Sequence, residues 1–284
     1  MVRRVLLAAG LVALLAIVVR SVPVPTPPPS SSVVGSMGRG PTVVLLHGLG
    51  SDANDWMTTA RELARDHRVL LVELPGHGVT PMASPFTLEQ ASLLLERAIA
   101  SEAREPVVLV GHSVGGLVAA SMAMRAPQRV RGLVLVETAL APQSTPAEAD
   151  TLRALLDRDW EGTMREIYVS FGRDSLQGEA LWAAASQLER RDLRRWIEVA
   201  LRTDLSAQGA DLPMPVLAVL SERSWEPGET WEHAAHALGY DRVPRLRGEA
   251  IAGCGHFVML DEPAKLARSI RRFVARGDSL VATL

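Results

Sequence analysis

Near the middle of the chain, an apolar run is followed by a serine that has a glycine two positions away on each side. The run Val107 to Val110 has the length and composition of a strand buried on both faces, and the segment Leu117 to Arg125 is a good helix former. Between them, Gly111 to Gly115 fits the pattern G-x-S-x-G, in which small neighbours let the backbone turn tightly and expose the serine hydroxyl. This context predicts that Ser113 is a nucleophile, the alternative being an incidental serine in a glycine-rich turn.

Predicted strands and helices alternate around this turn. One helix opens with a capping box, in which Gln90 comes three residues after Thr87. The alternation predicts an α/β fold with a mostly parallel sheet, helices on both faces, and functional loops at the carboxyl ends of the strands. The predicted strands cover residues 42–46, 69–74, 107–110, 133–136, 216–220 and 246–251.

Composition limits the partners that the protein can have. Of the 284 residues, 48% are hydrophobic and 22% charged, which is enough for one large core or two small ones. The net charge is -2 and the arginines are scattered among acids, which argues against a nucleic-acid partner. Cys254 is the only cysteine, so an internal disulfide and a cysteine metal cluster are both excluded, and we expect no cofactor or metal.

The first twenty residues have the pattern of a membrane-targeting segment. Arg3-Arg4 precede the uninterrupted apolar or small run Val5 to Val19, which Arg20 closes. The length lies between a signal-peptide core and a transmembrane helix, so we predict a signal peptide or a signal anchor over residues 1–20. The membrane is then a partner, with the domain facing outward, or secreted if the segment is cleaved. Residues 21–40, rich in proline and serine, are predicted to be a linker.

Four short motifs stand in order along the rest of the chain. They are His47-Gly48 after a strand, Leu74-Pro75-Gly76-His77-Gly78, the turn around Ser113, and Gly253 to Phe257 before a C-terminal helix. Their order and identity resemble the α/β-hydrolase family, in particular its serine esterases and lipases. The resemblance implies an α/β-hydrolase domain over residues 41–276.

The resemblance also implies a domain layout. An insertion at about residues 139–212 corresponds to the helical cap that covers the site in the family, and residues 277–284 form a C-terminal tail. The family usually has two strands before its His-Gly strand, whereas this chain offers only Val33-Val34 there. We therefore expect a sheet of six strands that lacks the first two. Most of the large apolar side chains of the cap should pack it onto the core, and some could line an acyl or alkyl pocket: Met164, Tyr168, Phe171, Trp182 and Trp196.

A serine hydroxyl needs an adjacent base to take its proton as it attacks. The family's base is a histidine in the loop after the last strand, and His256 matches that position. The negative charge that attack places on a carbonyl oxygen needs fixed N–H donors. One donor should be the backbone of Val114, at a helix N-terminus, and by the resemblance the other is that of Leu49, after His47-Gly48.

The acid that would orient His256 has several candidates. Many family members carry an aspartate just after the next-to-last strand, but here that position is Ser224, which has no carboxylate. Some relatives, including the haloalkane dehalogenases, take the acid from the end of the strand that follows the nucleophile's helix. That position is Glu137, 24 positions after the serine (137 minus 113). We predict Glu137 as the acid, with Glu222 or Glu226 as the alternatives.

Three functions fit this set of residues. The first is a serine hydrolase that cleaves a carboxylic ester or similar acyl bond of a small molecule through an acyl-enzyme intermediate. The second is another chemistry of the same fold, although halide displacement and epoxide opening would need an aspartate in place of Ser113. The third is a non-catalytic protein that binds small molecules, which the presence of both Ser113 and His256 disfavours. The fold alone does not choose among them, and neither the substrate nor the oligomeric state follows from the sequence.

Overall fold

A seven-stranded sheet forms the centre of the protein in the computed structural model, which describes residues 32–281 and the side chains of residues 32–276. Each strand except the first and the last is dominated by valine, leucine and alanine, the residues that suit a strand covered on both faces. The strands are β1 (Val33–Met37), β2 (Thr42–Leu46), β3 (Arg68–Val72), β4 (Val107–His112), β5 (Val130–Val136), β6 (Val216–Leu220) and β7 (Leu246–Ala250).

The strand order across the sheet is β1-β3-β2-β4-β5-β6-β7. β1 is antiparallel to β3, and every other neighbouring pair is parallel. All residues of β4 and β6 are buried, because helices pack on both faces of the sheet and form one apolar core on each side. The predicted α/β-hydrolase fold class is thereby confirmed.

The helices between the strands complete the α/β alternation. Several begin at a side chain that caps the first turn, as Thr87 does by accepting a hydrogen bond from the N–H of Gln90. The α-helices of the described residues are α1 (Met57–Leu63), α2 (Leu88–Glu102), α3 (Val114–Arg125), α4 (Pro146–Arg158), α5 (Trp160–Phe171), α6 (Ser175–Ala185), α7 (Arg190–Arg202), α8 (Trp231–Ala237), α9 (Val258–Asp261) and α10 (Pro263–Val281).

The first strand is one that the sequence does not predict. β1 lies inside residues 21–40, the expected linker, and gives the sheet seven strands where we expect six. Its side chains alternate between half-buried and exposed, and Gly35 and Ser36 interrupt its apolar character. The backbone hydrogen bonds to β3 stabilise this short edge strand more than its own side chains do. Its sequence therefore lacks the apolar pattern by which a strand is predicted.

Helices occupy the region expected for the cap and part of the region expected for the C-terminal tail. Helices α4 to α7 lie between β5 and β6, inside the insertion of residues 139–212 that corresponds to a cap, and these four helices are called the cap below. Helix α10 continues to Val281 and thus enters the expected tail of residues 277–284.

The membrane predictions need correction. Among residues 32–281, no helix combines the length and the apolar composition that crossing a bilayer requires. The expected signal peptide or anchor over residues 1–20 lies outside the described residues. We therefore withdraw the prediction of a transmembrane helix or signal anchor, that of a membrane partner, and that of a membrane or secreted location.

The parallel arrangement decides where the chemically interesting residues gather. Ser113 directly follows β4, Glu137 directly follows β5, and His256 lies in the loop after β7. The carboxyl ends of neighbouring parallel strands meet at one edge of the sheet, so residues far apart in sequence lie together there.

Candidate active site

Ser113 occupies a strained turn between β4 and α3. Its φ is 51° and its ψ is -123°, a region that non-glycine residues rarely adopt and that costs on the order of 1–3 kcal/mol. The N–H of Ser113 donates to the carbonyl of Val136 over 3.0 Å, which ties the turn to the neighbouring strand. At Gly111 a Cβ would lie 2.5 Å from the carbonyl oxygen of Gly115, so the turn requires glycine there. The turn presents the serine at the start of α3.

Glu137, the predicted acid, also has a positive φ, 48°. Its carboxylate is fully buried and accepts three hydrogen bonds. One oxygen accepts from the N–H of Ser221 over 2.6 Å, and the other accepts from the Ser224 hydroxyl over 3.0 Å and from Nδ1 of His256 over 3.1 Å. Burial raises the pKa of this carboxyl, but hydrogen bonding and the charge of His256, together with the other two donors, outweigh burial and lower the pKa below its ordinary value. Glu137 is therefore ionised at neutral pH.

The alternative acids do not contact His256. Glu222 is exposed and accepts a hydrogen bond from the N–H of Gly253 over 3.3 Å. Glu226 is exposed, and its backbone N–H is held by the carboxylate of Glu229. Within the described residues, Glu137 is the only one of the three carboxylates that bonds to the imidazole.

The loop that carries His256 is fixed from two directions. Its backbone N–H donates to the carbonyl of Phe171, at the end of cap helix α5, over 2.8 Å. Its carbonyl accepts from Nε2 of the buried His112 over 2.9 Å. The Phe171 ring stacks on the imidazole with centroids 4.6 Å apart. Since Nδ1 of His256 donates to Glu137, the remaining ring nitrogen is free to accept a proton.

The two predicted oxyanion donors are both unengaged. Within residues 32–281, neither the N–H of Val114 nor that of Leu49 donates to a protein acceptor. Val114 is the first residue of α3, where the helix itself supplies no acceptor for the N–H. Gly48, which precedes Leu49, lies against Ser113: a Cβ on this glycine would be 3.2 Å from Cβ of the serine.

Two buried histidines hold the loop that contains Leu49. His47 Nε2 accepts from the N–H of Leu74 over 3.0 Å, so its proton is on Nδ1, which donates to the carbonyl of Gly48 over 2.8 Å. This bond orients the peptide group whose N–H belongs to Leu49. His77 Nε2 accepts from the N–H of Gly50 over 3.1 Å. Both rings must be neutral to do so.

A tyrosine of the cap completes this support. The hydroxyl of Tyr168, on α5, donates to the carbonyl of Leu49 over 2.9 Å. That carbonyl belongs to the same peptide group as the N–H of Gly50, which His77 binds. The peptide group after Leu49 is thus held at both ends, by the core on one side and by the cap on the other.

A cavity of about 500 Å³ opens beside these groups. Ser113, Val114, Glu137 and His256 line it, whereas Leu49 lies outside its lining. Apolar side chains cover much of the wall: Leu117, Phe171, Leu201 and Leu238. The cavity therefore has room for an acyl or alkyl chain next to the serine and the histidine.

Several residues join the site without having been predicted for it. The hydroxyl of Ser224 and the N–H of Ser221 bind Glu137, and the Tyr168 hydroxyl binds the loop of Leu49. From the sequence, Tyr168 and Phe171 are expected as cap side chains that pack onto the core or line a pocket, and of the two Phe171 lines the cavity. Their contacts join segments remote in the chain, so no local pattern marks them.

We expect protein stability to fall between pH 6.5 and pH 5 because of buried histidines. Burial lowers the pKa of His47 to about 3 and that of His77 to about 4. The unfolded chain therefore binds protons below about pH 6.5 that the folded protein refuses, which destabilises the fold by at most about 2 kcal/mol per histidine at pH 5. Urea unfolding at pH 7 and pH 5 measures the difference.

A glutamine variant isolates one of these groups. His77→Gln keeps an acceptor for the N–H of Gly50 but does not titrate, so its unfolding free energy should depend less on pH than that of the wild type. His233→Gln, at an exposed position, should keep the full dependence. The same pH dependence of the unfolding free energy in all three proteins would show that His77 does not cause the loss of stability.

The family model and the similar proteins of known name all indicate the same family. The model of the Alpha/beta hydrolase family matches residues 43–269. The pimeloyl-[acyl-carrier protein] methyl ester esterase of Xanthomonas oryzae pv. oryzae (strain MAFF 311018) is 29% identical over 271 residues, which cover 84% of this chain and 97% of the relative. A solved hydrolase from Oleispira antarctica is similar with a TM-score of 0.76 and 17% identity, over 87% of this chain and 96% of its own. A solved thermophilic esterase from Thermogutta terrifontis is similar with a TM-score of 0.70 and 22% identity, over 86% of this chain and 92% of its own. The chain belongs to the alpha/beta hydrolase family, and it is a hydrolase.

Proposed function

We propose that this protein is a serine hydrolase that cleaves a carboxylic ester, or a similar acyl bond, through an acyl-enzyme intermediate. The main support is the buried bond between Glu137 and Nδ1 of His256, beside a serine held at the start of a helix and facing the same cavity. The printed name of the Xanthomonas relative, a methyl ester esterase, supports an ester as the substrate.

The mechanism follows from the proton positions. Nδ1 of His256 keeps its proton and donates it in the hydrogen bond to Glu137. Nε2 is therefore the nitrogen that accepts the proton of Ser113 as the serine oxygen attacks the carbonyl carbon. The ester alkoxide then leaves with that proton, and an acyl group remains on Ser113. A water molecule then gives a proton to the same nitrogen as its oxygen attacks the acyl carbon. The bond from that carbon to the Ser113 oxygen breaks, the proton passes from His256 to Ser113, and the acid is released. Glu137 holds the ring in this tautomer and stabilises its cation.

The oxyanion of each tetrahedral intermediate would be bound by the N–H groups of Val114 and Leu49. Among residues 32–281 neither N–H has a protein acceptor. Val114 belongs to the first turn of α3, and hydrogen bonds of His47, His77 and Tyr168 hold the Leu49 loop. Fixed donors of this kind are worth several kcal/mol, because they need no reorganisation as the charge develops.

Removing the serine or the histidine should abolish turnover. Ser113→Ala and His256→Ala should each lower kcat for p-nitrophenyl esters by about 10³-fold or more, and the double variant should be little worse, since the two act as a unit. Labelling by a fluorophosphonate probe should be lost in Ser113→Ala. His233→Ala, an exposed control, should keep full activity.

The same experiment separates the enzyme from a non-catalytic binding protein. A folded wild type that neither labels nor hydrolyses esters of any chain length would support the binding protein. Near-wild-type turnover in His256→Ala would remove that residue from the mechanism.

The choice of acid can be tested by moving it. Glu137→Gln should lower kcat by about 10³- to 10⁴-fold, because the imidazole loses its anionic partner. Ser224 touches the same carboxylate oxygen, so Ser224→Asp in the Glu137→Gln background should restore part of the loss. Glu222→Gln should stay near wild type. A large loss in Glu222→Gln and none in Glu137→Gln would show that the acid lies after β6.

The Tyr168 hydroxyl should matter for the rate more than for binding. Tyr168→Phe removes one support of the Leu49 loop, so we expect kcat to fall by about 3- to 10-fold while KM changes less, and the unfolding free energy to fall by about 1 kcal/mol. Ile197→Val, in the buried part of the cap, should cost a similar free energy without changing kcat. Equal kcat values in the two variants would argue against a role of the cap in the oxyanion site.

A further inference from the structure

Arg223 lies at the edge of the active-site cavity, in the loop after β6. Its guanidinium carbon is 5.2 Å from the centroid of the Phe171 ring, which in turn stacks on His256 at 4.6 Å. The guanidinium is thus two ring contacts away from the imidazole. It is also exposed and borders the adjoining depression formed with Ser224, Glu226 and Glu229.

The guanidinium of Arg223 is held by one hydrogen bond, and most of its N–H donors have no protein acceptor among the described residues. One N–H donates to the carbonyl of Ser170, at the end of α5. Arginine has five N–H donors, and within the part of the chain whose side chains are described no carboxylate forms an ion pair with this one. Two arginines of the cap, by contrast, form ion pairs: Arg153 with Glu198, and Arg165 with Glu179.

Three of the nearby carboxylates have other partners. Glu222 accepts from the N–H of Gly253, Glu229 accepts from the N–H of Glu226, and Glu137 binds His256. Among the described residues that line the cavity, Arg223 is the only arginine or lysine. Its unpaired donors are therefore the main source of positive charge at the mouth of an otherwise largely apolar cavity.

On the basis of the proposed function, we propose that Arg223 forms a subsite for an anionic group of the substrate. The substrate class is an ester whose acyl chain carries a carboxylate or phosphate at the end remote from the scissile bond. The apolar wall would hold the chain, and the planar guanidinium would bind the two oxygens of the anion. Stacking on Phe171 limits the freedom of the side chain, so less entropy is lost when the anion binds.

The test compares charged and neutral esters of equal length. Monomethyl esters of dicarboxylic acids of four to ten carbons carry the anion, and methyl esters of the corresponding monocarboxylic acids do not. Arg223→Gln should raise KM for the anionic esters by about 10- to 100-fold, the range expected for a charge-assisted hydrogen bond, with little change in kcat. For the neutral esters both constants should stay within about twofold. Arg165→Gln, a cap arginine outside the cavity, should change neither.

A second variant and a second anion sharpen the outcome. Arg223→Glu should reverse the preference toward esters with a terminal ammonium group. Phosphate-terminated esters that depend on Arg223 more strongly than the carboxylates would identify phosphate as the anion. Equal losses for charged and neutral esters would mean that Arg223 only ties the cap to the loop through Ser170, and would overturn the proposal.

Binding to an inactive variant separates this inference from the proposed function. Calorimetry with Ser113→Ala should show that the monomethyl dicarboxylate binds at least 10-fold more weakly when Arg223 is also changed to glutamine. If the wild type hydrolyses no ester but this difference is found, the subsite stands and the hydrolase proposal fails. If esters are hydrolysed and the difference is absent, the subsite fails and the hydrolase proposal stands.

Discussion

The buried carboxylate of Glu137 needs donors on both of its oxygens, because an unpaired charge inside a protein costs several kcal/mol. Those donors come from the segment after β6, through Ser221 and Ser224, and from the loop after β7, through His256. Satisfying one carboxylate therefore draws three strand ends of the sheet together. The position of His256 relative to Ser113 depends on this arrangement, together with the hydrogen bonds that join the histidine loop to His112, the cap, Glu222 and Asp261.

Neighbouring strands β4 and β5 are each followed directly by a residue with positive φ, Ser113 and Glu137. The N–H of Ser113 donates to the carbonyl of Val136, so the two strained turns support each other across the sheet. The hydroxyl of Tyr240 adds a bond to the carbonyl of Thr138, and the Thr138 hydroxyl lies within bonding distance of the carbonyls of Ser113 and Val136. Strain at functional positions persists only where the surroundings hold it in this way.

The cap does more than cover the cavity. Tyr168 binds the loop of Leu49, Phe171 binds the loop of His256 through its backbone and stacks on its ring, and the carbonyl of Ser170 holds Arg223. All three belong to the last turns of α5. A single helix end thus contacts the proposed oxyanion loop, the proposed base and the proposed anion subsite, so we expect a change in cap sequence to alter rate and specificity together.

The sequence by itself determines the local features of this protein. The turn around Ser113 and the buried strands follow from residues close together in the chain, because glycine spacing and continuous apolar runs act on neighbouring backbone. The position of His256 follows from the family resemblance. The edge strand β1 does not follow from the sequence, since its five residues form a strand through pairing with β3.

Only the tertiary structure decides which carboxylate meets the histidine. Glu137 and His256 are 119 positions apart, and Glu137 and the Ser224 hydroxyl are 87 apart, so no local pattern separates Glu137 from Glu222 or Glu226. The bond from Tyr168 to Leu49 spans another 119 positions. Such contacts arise because a parallel sheet gathers strand ends at one edge, where side-chain geometry rather than sequence spacing selects the partners.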